Sequence, residues 1–136
     1  MSIFVPDEGG LAQLQDIFGA ADFTLQLLTD SADIADADTV TTHAVASGGG
    51  YVDKTLLHSS AAFALNSGVP EVSWPLVTWT FTGELTDTAQ ITGYQVKKGS
   101  VLYFAERWPS ATFEPVYAGK QISFTPRYRL GNGVPT

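Results

Sequence analysis

Apolar and polar residues change rhythm several times along this chain. Leu11, Leu14 and Ile17 or Phe18 recur at three- and four-residue spacing, which makes one narrow apolar face of a helix. Pro6-Asp7-Glu8 stands ahead of them, with acids where a helix N-terminus is positive, and Gly19 follows as a stop. The pattern predicts a short helix that must lie on other structure, because so short a helix is marginal alone. From Phe23 the period becomes two. Phe23, Leu25 and Leu27 alternate with Thr24 and Gln26, a strand signal. Residues 30–50 read as a long loop or a weakly paired strand, with Thr39–Val45 a candidate edge strand and Gly48-Gly49-Gly50 a flexible break. Tyr51–Leu57 reads as another short strand. Residues 58–70 carry no clear period, and Asn66-Ser67-Gly68 marks a turn.

The second half has a sharper pattern. Val77, Trp79 and Phe81 alternate with Thr78, Thr80 and Thr82, as in an antiparallel strand with one wet side. Ile91–Val96 and Val101–Trp108 flank Lys97-Lys98-Gly99-Ser100, a hairpin turn in which Gly99 is free to take positive φ. Apolar residues fall on both faces of Val101–Trp108, which predicts a central, doubly covered strand. Ile122, Phe124, Tyr128 and Leu130 form a fourth alternating run, with Pro126 at an edge or bulge. The expected fold class is mainly β: an antiparallel β-sandwich or jelly roll with a short N-terminal helix. The expected organisation is an arm and helix over residues 1–20, a single sandwich domain over 21–130, and a loose tail over 131–136.

Composition narrows the function. The 136 residues hold no cysteine, so disulfides, thiolate metal sites and a cysteine nucleophile are excluded. The longest purely apolar runs, Ala61–Leu65 and Val101–Ala105, are far shorter than the roughly 20 residues of a spanning helix, and Met1–Glu8 lacks the basic region of a secretory signal. No membrane is expected as a partner. Net charge is −7, which makes nucleic acid an unfavourable partner. Residues 1–68 hold nine acids and one base, and residues 69–136 five acids and six bases. Such a division suits a soluble acidic surface or complementary faces on neighbouring copies.

No nucleophile elbow or phosphate-binding loop is present. His58-Ser59-Ser60 sets a base beside two hydroxyls, but neighbours in an extended chain point to opposite faces. His43 and His58 are read as surface histidines. Asp30, Asp33, Asp36 and Asp38 are the one carboxylate cluster. They read as a solvated acidic loop, with calcium as the ligand to test, although the EF-hand order is missing. Glu106 paired with Glu84 or Glu114 has no spacing that supports glycoside hydrolysis; Glu106 or Arg107 is expected to pair across the sheet. Trp74, Trp79, Tyr103, Phe104 and Trp108 are read as core, with a sugar-stacking platform as the alternative. No catalytic residue, cofactor or metal ligand is assigned.

Four stretches carry a family resemblance. They are Phe4-Val5-Pro6-Asp7-Glu8-Gly9 with its following helix, Thr92-Gly93-Tyr94-Gln95-Val96, Leu102-Tyr103-Phe104-Ala105-Glu106-Arg107-Trp108, and Gly119-Lys120-Gln121-Ile122-Ser123-Phe124-Thr125-Pro126. In order and spacing the chain resembles small virion-associated proteins of tailed bacteriophages. Phe104 and Trp108 stand where that pattern has Trp before and Phe after Ala-Glu-Arg, and Lys120 stands where it commonly has Asp. The resemblance implies a non-enzymatic structural component of the particle, whether head decoration, head fibre or tail; a capsid decoration or cement protein is the expected form. It would be made in the host cytoplasm and carried on the virion. Its partner would be the major capsid protein or another virion protein, and it would act as a homo-oligomer, a trimer. Ile3, Phe4, Val5, Leu11 and Leu14 are the expected interaction residues, because an exposed apolar arm marks a contact site. The loop Asp30–Gly50 is expected to reach the shell as well. The alternative is a carbohydrate-binding module of a tail fibre or virion surface, with a surface glycan as ligand.

Overall fold

The computed structural model describes residues 4–130. Ile3 and residues 131–136 therefore lie outside the described residues. The chain is mainly β, with antiparallel sheets and, among the described residues, a single α-helix. In chain order the elements are α1 (Asp7–Phe18), β1 (Phe23–Leu28), β2 (Lys54–Leu56), β3 (Ala62–Asn66), β4 (Val69–Ser73), β5 (Val77–Thr80), β6 (Gln90–Ile91), β7 (Gly93–Lys98), β8 (Val101–Arg107), β9 (Glu114–Pro115), β10 (Gln121–Phe124) and β11 (Arg127–Arg129). No helix of the described residues is long and apolar enough to cross a membrane.

Contacts group the described residues into two compact units, and residues 4–20 fall in the first of them. The first unit comprises Met1–Asp22, Leu56–Leu76 and Thr125–Thr136; the second comprises Phe23–Thr55 and Val77–Phe124.

In the first unit, β11, β4 and β3 form an antiparallel sheet in that order, and α1 packs on β4 and β3. Acids occupy the first turn of α1 and Gly19 follows its end, as the sequence predicts. The buried stripe is Gly10, Leu14 and Phe18, one residue every helical turn. Gly10 is needed for close approach, since a Cβ there would stand 2.7 Å from Cγ of Pro70. Phe18 meets Trp74 edge-on at 5.5 Å and Tyr128 at 5.4 Å, with Val72 fully buried. Ile17 remains 42 % exposed.

In the second unit the sheet order is β2-β1-β7-β8. β1 is buried on both faces, so its polar Gln26 is enclosed rather than wet. β7 is buried over its first four residues, which makes it, not β8, the central strand of the hairpin. β8 lies at the edge of the sheet. Its two apolar faces have a different cause from the one expected: Tyr103 packs edge-on against Phe23 at 4.8 Å while Phe104 faces Tyr94. The hairpin turn is as expected, with Gly99 at φ +60°. A second ribbon pairs β10 with β5, and a third β6 with β9. Trp79 and Phe81 on β5's strand are buried while Thr78 and Thr80 are exposed, and Thr78 shares a 2.9 Å hydrogen bond with Ser123 on that wet side. The ribbon faces the larger sheet through a stack of Tyr94 on Phe124 at 4.8 Å and Phe124 on Trp79 at 5.6 Å.

The run from Ile122 to Leu130 is two strands rather than one. Pro126 has no N–H to give a ladder, and the chain parts there: β10 pairs with β5, whereas β11 pairs with β4.

Candidate functional site

The loop after β1 returns alongside its own strand. Thr29 N–H donates to Ala44 O and Ala46 N–H to Leu27 O, both at 2.9 Å. No strand forms over Thr39–Val45; one isolated bridge joins Leu28 and Val45. Gly48, Gly49 and Gly50 all take positive φ, a conformation that L side chains rarely adopt. Backbone bonds from Thr82 to Gly49 and from Thr86 to Ser47 hold this stretch. The loop expected to be flexible is thus tied down along its length.

Its main tie is a charged cluster. His43 is 3 % exposed. Its Nδ1 lies 3.0 Å from Asp30 Oδ2 and its Nε2 2.6 Å from Asp38 Oδ2. Both ring nitrogens face carboxylate oxygens, so both donate and the ring is cationic. Asp30 Oδ2 also accepts from Ala44 N–H at 3.0 Å, and Asp38 Oδ2 from Ala35 N–H at 2.8 Å. Arg107, at the end of β8, reaches the same group. Its Nη2 meets Asp30 Oδ1 at 2.8 Å and Ala32 O, and its Nη1 meets Asp30 O at 2.7 Å. Two carboxylates thus face two cations.

These contacts set the titration. Burial disfavours the charged ring of His43, but the bonds to Asp38 and Asp30 outweigh it and hold its pKa above the ordinary 6.5. Burial likewise opposes ionisation of Asp30, yet donors from His43, Ala44 and Arg107 bring its pKa below 3.8. The Ala35 N–H and then His43 do the same for Asp38. Burial pushes the Tyr51 and Tyr94 hydroxyls up. They serve as neutral donors, Tyr51 to Asp53 at 2.9 Å and Tyr94 to Glu106 at 3.0 Å.

Chemically the cluster is a clasp. Neither nitrogen of His43 has a free lone pair, so the ring offers no general base while both bonds stand. Both oxygens of Asp30 and Oδ2 of Asp38 accept from His43, Arg107 and backbone N–H groups, so these two acids are held within the clasp rather than standing in a solvated loop. No group of three such side chains among the described residues is disposed to hold a metal ion. Sequence reading separated these residues because Asp30 and Arg107 stand 77 positions apart, and no local motif joins them.

Beside the clasp lies a cavity of about 410 Å³ lined by Ser31, Asp33, Arg107, Trp108, Ser110 and Phe113. Arg107 Nε is buried there without a hydrogen-bond partner among the described residues. The aromatic platform is not assembled as a row: Trp74 and Trp79 are core residues at 3 % and 2 % exposure, and Tyr103 is 41 % exposed.

In the first unit, His58 Nδ1 sits 2.6 Å from Asp22 Oδ1, and His58 N–H donates to the same oxygen at 2.9 Å. Both side chains are about half exposed. Asp22 is the orienting acid that no local spacing marks, but among the described residues no serine hydroxyl bonds to the ring. Of the expected interaction residues, Phe4 is 73 % exposed and Leu14 is 1 % exposed. Leu14 therefore holds α1 to its own sheet instead of meeting a partner. Val5 and Leu11 are half-buried, and Ile3 lies outside the described residues. No family model, curated protein or solved structure matches this chain.

Proposed function

We propose that this chain is a non-enzymatic structural protein of a tailed-bacteriophage particle, a capsid decoration or cement protein. It binds the major capsid protein or another virion protein. The observation that carries the reading is the exposure of Phe4, in one of the stretches behind the phage resemblance. Gly10, Leu14 and Phe18 fasten α1 to its sheet, so Phe4 is presented from a fixed base. A large apolar side chain left in water is a ready anchor for a partner's pocket. Burying it contributes about 1.5–3 kcal/mol per copy, and many identical sites multiply that effect. The clasped His43 fits this use, since it supplies rigidity rather than a reactive group.

The test is co-sedimentation of the purified chain with phage heads lacking it. Deleting residues 2–6 abolishes binding and leaves the circular dichroism spectrum intact, and Phe4→Ala weakens binding by about tenfold or more. Undiminished binding by both variants overturns the reading.

The cavity beside Trp108 favours a second reading, a surface-glycan module. An aromatic wall with a carboxylate and hydroxyls suits a neutral sugar. Tryptophan fluorescence across a glycan panel, with Trp108→Ala as control, tests it; no response to any glycan removes it.

A further inference from the structure

The sheet β11-β4-β3 has two edges of opposite character. β11 carries Arg127 and Arg129 directly after Pro126, features that discourage another strand from pairing. β3 reads Ala-Phe-Ala-Leu-Asn, with neither charge nor proline. Its hairpin with β4 turns through Ser67 and Gly68 at φ +52° and +76°, the backbone of a two-residue I′ turn. Such a turn closes on a hydrogen-bonded pair, here Asn66 and Val69. The bonded pairs then alternate through Ala64 with Glu71 and Ala62 with Ser73. Pro70 falls opposite Leu65, in the non-bonded class, so its missing donor takes nothing from the β3–β4 ladder. The N–H and C=O groups of Phe63 and Leu65 therefore point away from β4. No hydrogen bond among the described residues takes them up. Ala62 and Ala64 are exposed, and Leu65 is 46 % exposed.

We infer that β3 is a self-pairing edge. β3 of a second copy lies antiparallel against it, across a two-fold axis at Ala64, and doubles the three-stranded sheet. In that register Phe63 stands opposite Leu65 of the second copy, and Leu65 opposite Phe63 of the second copy. Each such pair exchanges both of its outward backbone hydrogen bonds. The same pairs bring their large side chains together on one face. Ala64 meets its own counterpart at the axis, where two small residues fit the close spacing of a non-bonded pair.

Charge selects this edge for a second copy. A chain of net charge −7 repels itself, but from Thr55 to Pro70 there is no Asp, Glu, Lys or Arg. Glu71, opposite Ala64, is the carboxylate beside the edge. Arg129 Nε at 2.7 Å neutralises it, and Asn66 Nδ2 donates to it at 3.1 Å. Two copies thus meet here without bringing like charges together. The pairing belongs to the isolated chain and does not depend on the particle reading. It gives a two-fold assembly where the phage resemblance implies a trimer.

Light scattering on the full chain over a concentration series tests it. The expected mass at high concentration is twice the 14.5 kDa of one chain. Leu65→Pro removes an outward donor that the hairpin does not use, and halves that mass with an unchanged circular dichroism spectrum. The chain has no cysteine, so Ala64→Cys places one thiol on the axis, at a Cα separation of about 4.5 Å that a disulfide spans. Mild oxidation gives a covalent dimer, whereas Ala62→Cys, opposite Asn66 of the second copy, gives none. A one-chain or three-chain mass overturns the inference. So does a dimer in which Ala64→Cys fails to cross-link. Should Leu65→Pro not fold, the cross-link pattern alone decides.

Discussion

Two histidines meet aspartates at the same 2.6 Å separation, one in each unit. The ring of His58 is about half exposed beside a half-exposed Asp22. The ring of His43 is enclosed between Asp30 and Asp38, with Arg107 behind them. Distance alone does not separate the pairs; surroundings do. Water screens the first pair and competes for its bonds, so little stability rests on it. The second pair has lost most of its water, so removing one member leaves the others charged and poorly solvated.

Asp30→Ala breaks this contrast most deeply, because Asp30 receives His43, Arg107 and the Ala44 N–H together. A loss of about 3–5 kcal/mol in urea unfolding is expected. His43→Gln follows, with a loss of about 2–3 kcal/mol near pH 6. Its pH dependence sharpens the comparison. The His43 pKa is raised on folding, so its contribution is complete below 6.5 and fades as pH rises through the folded value. Asp30 and Asp38 have lowered values, so theirs is complete above 3.8 and fades as pH falls through the folded values. Stability should therefore be greatest between 3.8 and 6.5 as far as this cluster governs it, and His43→Gln should flatten the alkaline limb. Arg107→Lys should cost about 1–2 kcal/mol, since one ammonium cannot reach Asp30 and both carbonyls together. His58→Gln should leave the urea midpoint unchanged at low and high salt. A drop as large as that of His43→Gln would erase the distinction.

What was legible in the chain follows from the same contrast between local and distant partners. α1, the Gly99 hairpin and the Val77–Phe81 alternation are encoded within a few residues of themselves, and each was readable. β3 and β4 were not. Ala61–Leu65 is a short apolar run without a period, and such a run reads equally as strand or buried helix. Apolar side chains facing both ways point to a central β8, although aromatic neighbours rather than a further strand explain them. The clasp was invisible because its members come from a loop and a distant strand end. Asp30 and Asp38 read as members of a solvated acidic loop because no local spacing ties them to His43 or Arg107.

Pro126 has a consequence for synthesis. The helix that opens the first unit leaves the ribosome early, yet β11, which completes its sheet, follows every segment of the second unit. The nascent chain must carry α1, β3 and β4 with one side of β4 bare until Thr125 and beyond emerge. The unit begun first is finished last, and any truncation between Phe124 and Arg129 reaches back to the sheet beneath α1.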